Sequence, residues 1–247
     1  MKPNLNTCVQ DFLSMGFSTG GYQKSNHEEA VEKRLKKHGF KKSLLKKISK
    51  KQRDRALAGG DIPLLQEGEY LAQPTGKNDS PDFIVRYQGK LYFLECKSSK
   101  ELHPTFNGGR PKKGYLYIFS SGKVNGTTVF YGRDVLNDEV RDAYDRMLQR
   151  NEESYKLFKE ELKGIDNSRG FDYYERHMYT QSGGAEFTNY FTHKDRKSCE
   201  ESVLNSIPLV SEDKERLYKK GNSIGMVAKY AKVVEVNEYQ VIDEVFN

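Results

Sequence analysis

Cysteine is scarce and scattered: Cys8, Cys96 and Cys199 form an odd set. That argues against a disulfide framework, fits a reducing cytoplasm, and leaves no CxxC pair for a zinc site. Long apolar runs are also missing. No stretch approaches the ~20 residues of a membrane-spanning helix, and mean hydropathy is −0.83. Met1 to Gly16 has one early lysine and no continuous apolar core, so no secretory leader is expected. Internal repeats and low-complexity linkers are absent too. What is present is a chain of 247 residues with sixteen Tyr and thirteen Phe, aromatic enough to fold. That length suits one large domain, or a core with a smaller lobe.

The charge is unevenly spread. The whole chain carries +6, yet twelve Lys and Arg face only four Asp and Glu between Glu28 and Arg55. That stretch alone is +8, which leaves −2 elsewhere. A concentrated basic face is the footprint of a phosphate-binding protein. A solvated, lysine-rich helical surface gives the same count.

Periodicity orders the first two thirds of the chain. Glu28 to Phe40 reads as a helix with Val31 and Leu35 on one side, Asn26 as cap and Gly39 as stop. Lys41 to Leu57 reads as a second basic helix carrying Leu44, Leu45 and Ile48, ended by Gly59-Gly60. Glu69 to Pro74 is a short strand. Asp82 to Tyr87 and Leu91 to Lys97, joined across Gln88-Gly89-Lys90, read as a β-hairpin. Residues 102–114 form a Pro/Gly/Asn loop. Tyr115 to Ser120 and Thr127 to Tyr131 are further strands, Asp134 to about Lys163 is a long helix, and another helix falls near Ser198 to Ser206. The tail from Met226 to Phe246 has strand composition. Residues 1–24 show no clear period. The fold class is α/β: a mixed sheet flanked by helices over residues 1–163, with an added C-terminal α/β region over 164–247.

The hairpin carries the chemistry. Glu95 and Lys97 alternate with Leu94 and Cys96, so they share one face of their strand. Asp82 opens the preceding strand, and antiparallel pairing returns it to the neighbourhood of Glu95. Two carboxylates and a lysine then meet at one place. Hard oxygen ligands of this kind suit Mg²⁺, which takes one or two carboxylates together with water and phosphate oxygens. Such an ion acidifies water and offsets phosphate charge. The lysine serves as base toward the attacking water or as electrostatic stabiliser, and both roles call for the same residue. The plain alternative is a surface strand with a cross-strand ion pair.

Pro81-Asp82, twelve intervening residues, then Glu95-Cys96-Lys97 resembles the signature of the PD-(D/E)xK nuclease superfamily. Glu28 to Phe40 is similar to the helix that precedes the hairpin in that superfamily. The resemblance puts Glu28 at the position of an additional acidic site residue, with Glu29 and Glu32 as competitors. A glutamate that simply complements the helix dipole is the alternative. Gln73 sits where the first core strand of the family would end, near phosphate or water. The loop from Ser98 to Pro111, the strand Tyr115 to Ser120 and the segment Tyr131 to Leu136 are similar to type II restriction endonucleases.

The resemblance covers residues 26–150 and implies several expectations. Asp82 and Glu95, joined by the Cys96 backbone carbonyl, hold Mg²⁺; Lys97 acts on the water; Glu28 supports them. The substrate is double-stranded DNA cut at a short specific sequence, by a homodimer in the cytoplasm, with no membrane partner. A cognate DNA methyltransferase belongs to the same system without forming a stable complex. A junction-resolvase-like, structure-specific nuclease and a non-catalytic DNA-binding module are the competing readings. Candidate DNA contacts are Gln73, Asn107, Arg110, Lys112, Lys113 and Arg176. Arginine paired to a guanine edge is the commonest specific contact, whereas a solvated loop explains Arg110, Lys112 and Lys113 equally well. Asn107 reads a base, braces its loop or caps a turn. Arg176 belongs to an aromatic-basic cluster with Arg169, Tyr173, Tyr174 and His177; Lys194, Arg196 and Lys197 form another.

Overall fold

The computed structural model describes residues 1–17, 25–77, 79–107, 109–165, 178–180 and 190–209. Its centre is the hairpin. β3 (Phe83–Tyr87) and β4 (Lys90–Ser99) run antiparallel, with Tyr87 opposite Lys90. Gln88 and Gly89 alone make the turn, with φ of 48° and 72°. Two positive φ values in succession are the type I′ geometry that matches strand twist, which is why glycine follows a polar residue here.

The hairpin is the middle of a six-stranded mixed sheet. Its order is β1 (Lys41–Lys42), β2 (Glu69–Ala72), β3, β4, β6 (Tyr115–Ser121) and β7 (Gly126–Tyr131). β1 lies parallel to β2, and β4 lies parallel to β6; the other pairs are antiparallel. All seven residues of β6 are buried. A continuous apolar run is what a central strand covered on both faces requires. The fold is thus α/β, with helices flanking a mixed sheet.

One sheet face packs Leu94, Leu116 and Ile118 against α1 (Leu5–Leu13), α2 (Ser25–Lys37) and α5 (Arg196–Ser206). The other packs Ile84, Phe93 and Phe119 against Ile48, Ala56 of α3 (Lys50–Leu57) and Tyr190. Described residues beyond 163 therefore enter both layers. β5 (Thr105–Phe106) lies inside the expected loop and pairs with β8 (Tyr179–Thr180). α4 (Asp138–Lys163) follows a 3-10 turn at Gly132–Asp134, is capped by Asn137 accepting from the Val140 N–H, and has no buried residue. Among the described residues no helix is long and apolar enough to cross a membrane.

Three expectations need correction. Residues 41–57 are not one helix. Lys41 and Lys42 pair with β2, and the helix starts only at Lys50, where Ser49 and Gln52 form a capping box. Leu44 is 97% exposed while Ile48 is buried, so the apolar residues there do not share a helical face. Asn26 is not the cap of α2 but lies in its first turn. Gly39, with φ of 86°, does end that helix: Phe40 N–H returns to the Leu35 carbonyl. Finally, residues 1–24 contain α1, in which Leu5, Cys8, Val9 and Phe12 are fully buried. The expected strands at Met226 to Phe246 lie outside the described residues.

Candidate active site

Phe83 pairs with Leu94, so Asp82, just before β3, meets the Glu95–Cys96 stretch of β4. Asp82 Oδ2 accepts a hydrogen bond from the Cys96 N–H at 2.7 Å. Glu95 and Lys97 share a face, as strand periodicity dictates, and Lys97 Nζ donates to Glu95 Oε1 at 2.7 Å. Cys96 turns the other way and packs on the layer of α1 and α2.

Glu28 reaches the same place from the first turn of α2. Glu29 is exposed. Glu32 is engaged elsewhere, accepting from the Tyr70 hydroxyl at 2.7 Å and pairing with Lys36 and Lys42. Gln73 joins Glu28 to the hairpin: its Nε2 donates to Glu28 Oε2 at 3.2 Å, and its backbone N–H donates to the Asp82 carbonyl at 2.7 Å.

These acids act on one another. Burial first, then the charges of Glu95 and Glu28, push the Asp82 carboxyl well above the usual carboxylate range, against the Cys96 N–H and Lys97. Burial also raises Glu95; Lys97 opposes the rise and Glu28 adds to it. Glu95 is 7% exposed, and its Oε2 is buried without a hydrogen-bond partner among the described residues. An orphaned buried acceptor costs about 1–3 kcal/mol, and more when charged. A cation beside Glu95 and Asp82 relieves both that loss and their mutual repulsion. No three or more His, Cys, Asp or Glu side chains are grouped to hold a metal by themselves among the described residues. Mg²⁺ needs fewer protein ligands than that, one or two carboxylates with water and phosphate oxygens, and Asp82 and Glu95 are two carboxylates brought to one place.

Sequence reasoning did not single out the support beneath Asp82. Arg53 of α3, 5% exposed, donates through Nη1 to Asp79 Oδ1 and to the Ser80 carbonyl, both at 2.9 Å. The Tyr115 hydroxyl donates to the same carbonyl at 3.3 Å. The basic run around Arg53 hid it, since nothing local distinguishes it from its exposed neighbours.

The expected DNA contacts separate. Arg110 pairs with Asp145 at 2.5 Å and donates to the Arg141 carbonyl at 2.9 Å. Lys113 pairs with Asp138 at 2.8 Å. Lys112 instead lies half-buried, its Nζ 5.4 Å over the Tyr115 ring. Asn107 is half-buried just past β5. Arg196 pairs with Glu200 at 2.8 Å. Arg176 and its cluster, Arg169, Tyr173, Tyr174 and His177, lie outside the described residues. The chain matches no protein-family pattern, no curated protein and no solved structure.

Proposed function

We propose that the chain is a Mg²⁺-dependent type II restriction endonuclease that hydrolyses phosphodiester bonds of double-stranded DNA at a short specific sequence. The observation that carries this reading is the buried Oε2 of Glu95, without a hydrogen-bond partner among the described residues, beside Asp82, whose carboxyl is itself raised by burial and by its acidic neighbours. A fold that keeps such a pair accepts instability that a bound cation offsets. Asp82, Glu95 and the Cys96 carbonyl are the residues to hold Mg²⁺. When bound, that ion supplies Lewis acidity toward the phosphate and a more acidic water.

The remaining work belongs to the chain's own groups. The Cys96 N–H fixes the orientation of Asp82. Glu95 fixes the Lys97 ammonium beside the acids. There Lys97 orients the attacking water or exchanges a proton with it at Nζ, and its charge offsets the growing charge of the phosphate. Glu28, tethered by Gln73, adds a third negative charge that favours a cation at the site. A two-fold dimer suits a palindromic target. A cytoplasmic location and a partner methyltransferase belong to the same reading.

Digestion of a DNA of known sequence with Mg²⁺ tests it. Discrete fragments from linear duplex are the expected result. Cutting confined to four-way junctions would overturn the restriction reading in favour of a resolvase-like nuclease. Binding without any cutting would leave a DNA-binding module.

A further inference from the structure

Three cations lie within residues 110–113, past β5, and the structure separates their roles. Arg110 is spent on Asp145 and on the Arg141 carbonyl, and Lys113 on both oxygens of Asp138 at 3.0 and 2.8 Å. Lys112 Nζ has no ion pair or hydrogen bond among the described residues, and it stands 5.4 Å over the Tyr115 ring. Its backbone is held rigidly all the same. The Lys112 N–H donates to the Tyr117 hydroxyl at 2.9 Å, and its carbonyl accepts from the Tyr115 N–H at 3.0 Å. Arg141 Nη1 donates to the preceding Pro111 carbonyl at 2.5 Å. Gly132 closes the other side, where a Cβ would overlap the Lys112 carbonyl.

The two tyrosines fix where this lysine stands. Tyr117 is the β6 neighbour of Glu95 in the parallel ladder. Tyr115, beneath the ammonium, reaches the Ser80 carbonyl two residues before Asp82. Lys112 thus stands on the Glu95 side of the site, with Asp54 and Asp79 also within electrostatic reach. Burial, with the nearby Arg53 charge, lowers its pKa, while Glu95 is among the acids that oppose the fall. A rigidly mounted, partly desolvated ammonium without a carboxylate partner is suited to an anion that arrives from outside.

Resting on the nuclease reading, we propose that Lys112 is a phosphate-binding residue of the site, taking a non-bridging oxygen of the DNA strand beside Asp82 and Glu95, while Arg110 and Lys113 bind α4 and no phosphate.

The test is the salt dependence of duplex DNA binding in EDTA. Each phosphate contact contributes about 0.9 to the slope of log K against log salt. Lys112→Met keeps the methylene stem on Tyr115 and removes the charge. Its slope is expected to fall by about 0.9, while Lys113→Met leaves the slope unchanged and Lys112→Arg retains it. Should Lys112→Met melt early, Lys112→Gln is read in the same titration. An unchanged slope in the lysine-to-neutral variants, or an equal loss in Lys113→Met, would overturn the proposal while wild-type cleavage stands. A wild type that neither binds nor cuts duplex DNA would instead sink the nuclease reading on which the proposal rests.

Discussion

Gln73 leaves β2 with φ of 46°, a left-handed conformation that costs a non-glycine residue about 1 kcal/mol or more. Two of its hydrogen bonds explain why it is held there: one goes to the Asp82 backbone and one to the Glu28 carboxylate. On the proposed nuclease reading, function and backbone comfort pull apart at this residue. Gln73→Gly relieves the strain and removes the tether. It is expected to leave the melting temperature within about 2 °C of wild type and to lower cleavage about tenfold, the kinetic equivalent of one lost charge-assisted hydrogen bond. Parallel losses of stability and activity would show that Gln73 is merely structural. The Asp82, Glu95 and Lys97 cluster was legible in the sequence, because strand period and hairpin return are local rules. The division among Arg110, Lys112 and Lys113 was not: the acids that decide it, Asp138 and Asp145, lie about thirty residues away on α4.

Among the elements, α1 and α2 are clasped by Asp11. It pairs with Lys37 at 2.7 Å, His38 at 2.9 Å and Arg34 at 3.3 Å. Burial alone would raise its carboxyl, but the hydrogen bonds from Lys37 and His38 and the charge of Arg34 hold it far below the usual carboxylate range. The sign follows from linkage. A depressed folded pKa contributes stability that is complete above the unfolded value, about 3.9, and is lost as pH falls through the folded one. Asp11→Asn should cost about 1–2 kcal/mol at neutral pH and flatten the acid limb of the stability curve, as denaturant titration between pH 7 and pH 2 will read. An acid limb as steep as that of wild type would contradict the clasp. α1 itself carries an i, i+3, i+4, i+7 stripe at Leu5, Cys8, Val9 and Phe12, so its signal was present; nine residues with interleaved polar groups made it faint. β1 carried no such signal, since two lysines become a strand only through their pairing with Glu69 and Tyr70.

For the whole molecule, the charge acquires a finer meaning. Of the twelve basic residues between Glu28 and Arg55, Arg34, Lys36, Lys37, Lys42, Lys50 and Arg53 pair with carboxylates. Lys33, Lys41, Lys46, Lys47, Lys51 and Arg55 make no ion pair among the described residues and, on the proposed nuclease reading, are the ones left to meet a polyanion. Neutralising Lys46, Lys47 and Lys51 together should weaken binding of unrelated duplexes alike and reduce the salt slope by up to about 2.7, with little change in the melting temperature; unaltered non-specific binding would contradict this grip.

The central claim is that the Asp82–Glu95 pair serves hydrolysis and not folding. Cleavage of supercoiled plasmid with Mg²⁺, by wild type and by Asp82→Asn of measured melting temperature, tests it most directly. The prediction is that wild type linearises the plasmid, whereas Asp82→Asn leaves it intact and, in EDTA, melts at or above the wild-type temperature because a buried, repelled carboxylate is gone. Plasmid left uncut by wild type, or cut equally well by Asp82→Asn, would contradict it.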